Sequence, residues 1–217
     1  MNVLELFAGS RSIGNVAEEL GMNVFSSDIN NFEKIDYVVD ILNFDIKKIP
    51  FEKVDILWAS PPCTYFSVAS IGHHWNKNHT PKSENAMKGV AIVKKTLEII
   101  DALKPTYCFI ENPRGKLRKL KIVWDNQLYD RATVTYCSYG DKRMKPTDIW
   151  TNNIRSIYNP TGWQPRTICW NGNRNCHHEI APRGSKTGTQ GLGNDYERSK
   201  LPRELCLEIL NSCIKSF

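Results

Sequence analysis

Short apolar runs alternate with stretches of helical periodicity through the first half of the chain. The runs at residues 2–7, 23–27, 55–60 and 107–111 predict strands. Between them, apolar positions at every third or fourth residue predict helices over residues 12–20 and 84–103. Strands separated by helices indicate a largely parallel sheet covered on both faces, so the predicted fold class is α/β.

The second half of the chain has a different pattern. Residues 131–139 and 148–151 predict two strands joined by a tight stretch, which would form an antiparallel edge. Residues 152–195 are rich in Gly, Asn, Pro, Arg and Trp without an apolar period, which indicates irregular structure. Residues 202–214 predict a closing helix, because its apolar residues recur on one face.

Distinctive residues follow the apolar runs of the first half, where the predicted strands end. They are Gly9, Asp28, Asp40, Cys63 and Glu111. Carboxyl ends of parallel strands meet along one edge of a sheet, where open α/β folds bind their ligands, so we expect all five to gather there. Two prolines precede Cys63, and they force a turn because they can extend neither the ladder nor a helix. The sequence therefore predicts a nucleophilic thiol at this edge.

The net charge of +6 is concentrated toward the carboxyl-terminal half. Residues 142–203 contain 11 Lys and Arg against 4 Asp and Glu, and the basic run at 114–121 contains no acid. Two basic segments near a predicted active edge suit a polyanion such as nucleic acid. The predicted division is an α/β core at 1–151, a short irregular basic insert at 152–195, and a helical segment at 196–217 that returns to the core.

Composition places the chain among soluble globular proteins, with 41% hydrophobic and 24% charged residues. The amino terminus has no basic leader, and no apolar run approaches membrane-spanning length. Seven cysteines are an odd number without regular spacing, which favours reduced thiols over a disulfide framework. We therefore expect a cytoplasmic protein.

The motifs and their order resemble those of the cytosine-C5 DNA methyltransferases, particularly the short members found in phages and prophages. The resemblance covers nearly the whole chain and rests on Leu6-Phe-Ala-Gly9, Asp28, Asp40, Pro61-Pro-Cys-Thr-Tyr-Phe-Ser67, Phe109-Ile-Glu-Asn-Pro113 and Tyr139-Gly-Asp-Lys-Arg-Met-Lys-Pro-Thr-Asp-Ile-Trp-Thr-Asn152. It implies a Rossmann-like S-adenosylmethionine-dependent methyltransferase fold, with a mostly parallel sheet, antiparallel edge strands and helices on both faces. The short insert would then be a reduced target-recognition region.

The glycine turn and the acids that follow it fit a nucleoside cofactor, although these residues alone do not separate a dinucleotide from S-adenosylmethionine. The resemblance selects S-adenosylmethionine. The cofactor contacts that it implies are Phe7, Ala8, Gly9, Ser10, Asp28, Ile29, Asp40, Ile41, Ser60 and Pro62.

The resemblance also implies a covalent route to 5-methylcytosine. Cys63 would add to C6 of cytosine, Glu111 would activate the ring at N3, and Arg143 is our first choice for the basic residue that touches the base or Cys63. The partner would be double-stranded DNA. The predicted DNA contacts are Lys145, Arg114, Lys116, Arg155, Arg166, Arg183 and Lys186.

Cys169, Cys176, His177 and His178 are candidate zinc ligands in the insert. A six-residue gap followed by adjacent histidines is not a standard finger spacing, so a loop of reduced cysteines with histidines facing DNA is favoured and no bound metal is predicted. Three other functions stay open. An inactive methyltransferase-like DNA-binding protein would not need both Cys63 and Glu111, an oxidoreductase would not explain Pro-Pro-Cys with Glu-Asn, and methylation of RNA is not distinguished from methylation of DNA.

Overall fold

A single mixed sheet organises the protein. The computed structural model describes residues 1–68, 71–124, 129–170, 172–179 and 194–214. The strands within them are β1 (Asn2–Leu6), β2 (Asn23–Asp28), β3 (Tyr37–Val38), β4 (Ile56–Ala59), β5 (Tyr107–Pro113), β6 (Asp130–Thr135) and β7 (Pro146–Thr151). The strand order is β3-β2-β1-β4-β5-β7-β6, with β7 antiparallel to both β5 and β6 and the other neighbours parallel.

The helices cover both faces of this sheet. They are α1 (Ser12–Glu19), α2 (Ile71–His74), α3 (Glu84–Leu103), α4 (Lys121–Trp124), α5 (Asp195–Ser199) and α6 (Arg203–Ile214). Short 3-10 turns lie at Ile41–Asn43, Ile46–Lys48, Cys63–Tyr65, Leu117–Lys119 and Tyr136–Tyr139. The hydroxyl of Ser83 begins α3 by accepting a hydrogen bond from the amide of Ala86 at 3.1 Å, and Lys104 ends it in a left-handed conformation.

Alternating side chains of the central strands feed two separate cores. On β1, Leu4 belongs to the core under α3, whereas Val3 belongs to the core under α1 and α6. The same alternation continues on β4, where Leu57 and Trp58 face opposite cores. Burial on both faces explains why these strands read as continuous apolar runs in the sequence.

The predicted fold class is confirmed, and most predicted elements are present. Two details differ. The sequence analysis placed Asp40 after an apolar stretch but predicted no strand there, whereas the structure has the short strand β3, which pairs only two residues with β2. The strand predicted over 131–139 ends at Thr135, because the chain turns into the 3-10 segment Tyr136–Tyr139 before it reaches Gly140.

The described part of the insert, residues 152–170 and 172–179, contains no helix or strand and one isolated bridge between Ile154 and Trp163. Among the described residues, no helix combines the length and apolar character that a membrane span requires. All seven cysteines lie in described segments, and none forms a disulfide.

Candidate active site

Cys63 lies in a turn that is pinned to the neighbouring strand. After β4 the prolines redirect the chain into the turn Cys63–Tyr65, which closes when the amide of Phe66 donates to the carbonyl of Cys63 at 2.9 Å. The buried side-chain amide of Asn112 donates to the carbonyl of Pro61 at 2.8 Å. Asn112, the second residue of the Glu-Asn pair on β5, therefore fixes the position of the cysteine turn. Cys63 is half-buried in this turn.

Close packing on the other side of this turn adds a second constraint. The amide of Lys116 donates to the carbonyl of Phe66 at 2.7 Å. A Cβ atom at Gly115 would lie 2.3 Å from that same oxygen, so only glycine fits there. The turn around Cys63 is thus held before the cysteine by Asn112 of β5 and after it by Lys116, which follows β5.

Glu111 is a buried carboxyl group next to the end of β4. In the β4–β5 register Ala59 pairs with Ile110, so Glu111 follows directly at the carboxyl edge. Its side chain accepts a hydrogen bond from the hydroxyl of Tyr136 at 3.2 Å. Burial raises the pKa of Glu111, and the charge of Lys145 together with hydrogen bonds from Tyr136 and Ser60 opposes this rise. The protonated form therefore persists to a higher pH than in an exposed glutamate.

Lys145 supplies the positive charge beside Glu111 and Cys63. Its ammonium group donates to the carbonyl of Arg198 at 2.8 Å and lies 4.7 Å from the ring centre of Tyr136. Burial lowers the pKa of Lys145, whereas the carboxyl of Glu111 and the thiol of Cys63 oppose this shift. The sequence placed Lys145 among the DNA contacts, and the structure places it inside the site.

Arg143, the first choice from the sequence, is occupied by other partners. Its guanidinium pairs with Asp141 and donates to the carbonyls of Glu197, Arg198 and Lys200, the last at 2.9 Å. These contacts favour a role in which Arg143 holds the end of α5 and the residue after it against the loop before β7. The catalytic assignment to Arg143 stays a prediction, and Lys145 fits the position better because its charge acts on both Glu111 and Cys63.

A cleft at the same edge collects most of the residues predicted to bind the cofactor. Its lining residues are Phe7, Ser27, Asp28, Ile29, Val39, Asp40, Ile41, Pro62, Tyr65, Lys88 and Ile92. Six of these were predicted from the sequence. The other five were missed. Ser27 and Val39 each stand one position before a predicted acid, Tyr65 stands two positions beyond the cysteine, and no strand end marks Lys88 and Ile92 on α3.

The other four predicted cofactor residues, Ala8, Gly9, Ser10 and Ser60, do not line this cleft, and the glycine turn holds the cleft residues from behind. Gly9 has a φ of +50°, which glycine adopts without strain, and its amide donates to the carboxylate of Asp28 at 3.0 Å. The amide of Ala8 donates to Ser27, and Ser10 lies 2.9 Å from Ser12 through their hydroxyls. Ser60 contacts the predicted catalytic carboxyl instead. Its hydroxyl accepts a hydrogen bond from the indole N–H of Trp58 at 2.8 Å and is hydrogen-bonded to Glu111.

A second buried carboxyl group supports the turn from beneath. Glu5 on β1 accepts hydrogen bonds from the amide of Ile13 at 3.1 Å and from the hydroxyl of Ser26 at 3.1 Å. A Cβ atom at Gly14 would lie 2.6 Å from a Glu5 oxygen. Burial raises the pKa of Glu5 to about 7, against these hydrogen bonds and the charge of Arg11. Glu5 thereby caps α1, whose own cap residue offers no side-chain hydrogen bond.

The predicted DNA contacts fall into different environments. Arg114 and Arg155 are exposed, whereas Lys116 is only 4% exposed, with its ammonium 2.7 Å from His79 and 5.2 Å from the ring centre of Trp75. This burial removes Lys116 from the basic surface on which the sequence placed it. Arg166 is exposed but forms ion pairs with two glutamates of α6. Arg183 and Lys186 lie outside the described residues.

The cysteines and histidines of the insert are brought together with a residue that the sequence did not suggest. Cys169, Cys176 and His178 meet Cys137, and their ligand atoms all lie within 4.8 Å of one another. His177 lies outside this group. No spacing rule finds Cys137, because it precedes Cys169 by a whole strand and its flanking turns.

Comparisons with known proteins agree with the fold and the motifs. The model of the C-5 cytosine-specific DNA methylase family matches residues 1–136. A Frog virus 3 protein, described as a DNA (cytosine-5)-methyltransferase, is 29% identical over 98% of this chain and 100% of its own length.

Two solved structures share the fold. A protein encoded within an Escherichia coli prophage, described as a DNA modification methyltransferase, is 14% identical with a TM-score of 0.50, over 78% of this chain and 52% of that one. An Entamoeba histolytica methyltransferase is 17% identical with a TM-score of 0.53, over 78% of this chain and 57% of that one. The chain therefore spans little more than half the length of these two proteins, and all of the viral relative.

Proposed function

This chain belongs to the C-5 cytosine-specific DNA methylase family, and we propose that it transfers a methyl group from S-adenosylmethionine to C5 of cytosine in DNA. One observation carries this proposal. The half-buried thiol of Cys63 follows β4, the buried carboxyl of Glu111 lies on β5 directly after its last pair with β4, and the charge of Lys145 acts on both.

The chemistry needs a nucleophile and an acid on the same base. Cys63 adds as a thiolate to C6 of cytosine, and the positive charge of Lys145 stabilises that thiolate. Glu111 donates its proton toward N3, which its raised pKa permits, so that electron density moves to C5. When bound, S-adenosylmethionine supplies an electrophilic methyl group. Loss of the C5 proton to solvent, elimination of Cys63 as a thiolate and return of the N3 proton to Glu111 then leave 5-methylcytosine.

The residues of the cleft fit such a cofactor. Asp28 and Asp40 bring two carboxylates to a wall that also carries Phe7 and Ile41, and this combination suits ribose hydroxyls beside a planar apolar base. The amide of Gly9 donates to the carboxylate of Asp28 at 3.0 Å and so fixes this lining side chain. We assign the cofactor to this cleft. Pro62 lines the cleft and directly precedes Cys63 in the sequence.

The DNA would have to present its cytosine outside the helix, because a stacked base cannot reach a thiol at the end of β4. Exposed Arg114 and Arg155 are the described candidates for phosphate contacts, and Arg183 and Lys186 stay predictions. Lys145 and Lys116 are better explained by their buried partners.

The test offers methyl-labelled S-adenosylmethionine with duplex DNA, single-stranded DNA and RNA, followed by nucleoside analysis of each product. We expect labelled 5-methylcytosine in duplex DNA. An oligonucleotide with 5-fluorocytosine at the target should form a stable adduct, because fluorine cannot leave as a proton. Peptide mapping should place the adduct on Cys63.

Cys63→Ala is the matched variant, and it should bind the cofactor normally in calorimetry while forming neither product nor adduct. The same oligonucleotide without fluorine is the control for the trap. If the label is found only in RNA, the substrate is RNA and the proposal of DNA methylation is wrong. An adduct of equal stability on the Cys63→Ala variant would overturn the assignment of the nucleophile.

A further inference from the structure

Four soft or imidazole ligands meet at one point on the flank of the sheet, away from the thiol of the proposed reaction. They are the thiols of Cys137, Cys169 and Cys176 and the ring of His178, all within 4.8 Å of one another. The sulfur of Cys169 lies 3.6 Å from Nδ1 of His178. In a tetrahedral zinc site with Zn–S near 2.3 Å and Zn–N near 2.0–2.1 Å, the ligand atoms are separated by about 3.6–3.8 Å. The group needs to contract by only about 1 Å at most to reach that geometry.

The backbone fixes this arrangement from both sides. The amide of Cys169 donates to the hydroxyl of Thr135 at 2.8 Å, and the amide of Glu179 donates to the carbonyl of Lys142 at 2.8 Å. The ligand-bearing loop is therefore anchored before and after its three ligands, on the two sides of the turn that carries Cys137. Asn173 donates from its side-chain amide to the sulfur of Cys169 at 3.3 Å, the kind of outer hydrogen bond that orients metal thiolates.

The described residues of the insert form no apolar core of their own, and only Ile154 and Trp163 of them pack into the core under α1 and α6. Ile157 is 86% exposed, Tyr158 92% and Trp170 62%. Among the described residues of this segment, Trp163 is the large side chain that is fully buried. Segments with too little apolar burial are commonly fixed by a metal or a disulfide. A disulfide would use only two of the three thiols and not the imidazole, whereas one metal ion takes all four groups, so their convergence favours a metal.

We propose that Cys137, Cys169, Cys176 and His178 bind one structural Zn²⁺. A Cys₃His set fills all four tetrahedral positions, so the site is closed and holds structure rather than activating water. Cys137 directly follows Tyr136, whose hydroxyl donates to Glu111. The metal therefore ties the insert to the turn that supports the proposed catalytic carboxyl.

Zinc content of the untagged full chain tests the proposal, with expression in zinc-supplemented medium and purification under reducing conditions without chelator. We expect about one zinc per chain by mass spectrometry of the metal. His178→Ala should reduce this content to less than about a tenth, because loss of one of four ligands opens the site. His177→Ala is the matched control and should keep the metal, because His177 is the adjacent exposed histidine outside the cluster.

Two further variants separate ligation from folding. Cys137→Ser should also lose zinc, although it lies far from the other ligands in sequence, whereas Cys63→Ser should retain it. His178→Cys should restore about one zinc per chain, because Cys₄ sites are equally stable tetrahedral sites. Cobalt bound in place of zinc should give the intense visible absorption of tetrahedral cobalt thiolates in the wild type and in the His178→Cys variant.

Three results would overturn the proposal. The first is wild-type protein without zinc after the reducing preparation. The second is zinc that remains in the Cys137→Ser and His178→Ala variants. The third is a disulfide between two of the three cysteines, found by peptide mapping without reduction. None of these readouts depends on methyl transfer, so they are independent of the proposed function.

Discussion

Different interactions hold two regions of the protein in place. One region is the sheet edge at Cys63 and Glu111, and the other is the described part of the insert, residues 152–170 and 172–179. At the edge, strand register places the reactive groups, and the apolar side chains beneath them are buried in two cores. In the described part of the insert, several large apolar side chains are exposed, and apart from the buried Trp163 the contacts that fix it are ion pairs, hydrogen bonds and the cysteine–histidine group.

The difference explains how one short chain combines precise chemistry with an irregular surface. Register and packing resist displacement of Glu111, because moving it would disturb a strand bonded on both sides. Arg166 carries much of the attachment of the insert, since it pairs with Glu204 and Glu208 and lies over the ring of Tyr139. Changes at the edge should therefore alter chemistry or global stability, and changes in the insert should alter local order.

The largest expected effect is that of Glu111→Gln on turnover. The amide keeps the shape of the side chain but cannot give up a proton, so kcat should fall by about 10³-fold. Unfolding should stay cooperative, and adduct formation with 5-fluorocytosine should slow in parallel. Glu98→Gln, on the exposed face of α3, is the control and should leave kcat unchanged. A Glu111→Gln variant with wild-type kcat would remove the carboxyl group from the mechanism.

Glu5→Gln should change how the stability of the core depends on pH. Burial raises the folded-state pKa of Glu5 from its ordinary value of 4.5 to about 7, so the folded protein binds the extra proton between these values. The free energy of unfolding of the wild type should fall as pH rises through this window, by about 3 kcal/mol in total. Denaturant titrations from pH 5 to 8 should show that Glu5→Gln removes most of this slope.

Glu19→Gln provides the comparison for that titration, because Glu19 is exposed and pairs with Arg203 at the surface. It should keep the wild-type slope. If the Glu5→Gln variant keeps the slope as well, another group is responsible for the pH dependence.

Arg143→Ala should mainly lower stability, whereas Lys145→Met should mainly lower catalysis. Loss of the Arg143 guanidinium leaves Asp141 and the carbonyls of Glu197, Arg198 and Lys200 without their partner, so the free energy of unfolding should fall by about 2 kcal/mol.

Lys145→Met should cost little stability but lower kcat. It should also move the alkaline limb of the kcat profile to higher pH, because the charge that lowers the pKa of Glu111 is gone. An unshifted alkaline limb would contradict the role of Lys145.

The smallest global effect is expected in the insert. Arg166→Ala removes two exposed ion pairs, which should cost no more than about 1 kcal/mol of global stability. Hydrogen exchange of residues 152–170 should nevertheless accelerate, because the segment loses its attachment to α6. Arg155→Ala is the matched change, since Arg155 bonds to Gln164 within the segment. Equal acceleration in both variants would mean that α6 does not anchor the insert.

The sequence alone determined the α/β alternation, the cysteine turn and the acid at the end of β5. Each depends on local rules: buried strands read as apolar runs, and prolines stop both ladder and helix. The five residues placed at the carboxyl edge needed only the parallel order of the strands, which that alternation implies.

Tertiary structure decided which side chains meet where no local rule applies. Lys145 rather than Arg143 faces Glu111, because the loop before β7 twists through a positive φ at Lys145 and Asp141 captures the guanidinium. Lys116 is buried beneath a segment almost forty residues away, and Cys137 joins ligands of the insert across the turn after β6. Such contacts depend on how loops fold back over the sheet, and no period in the sequence records that path.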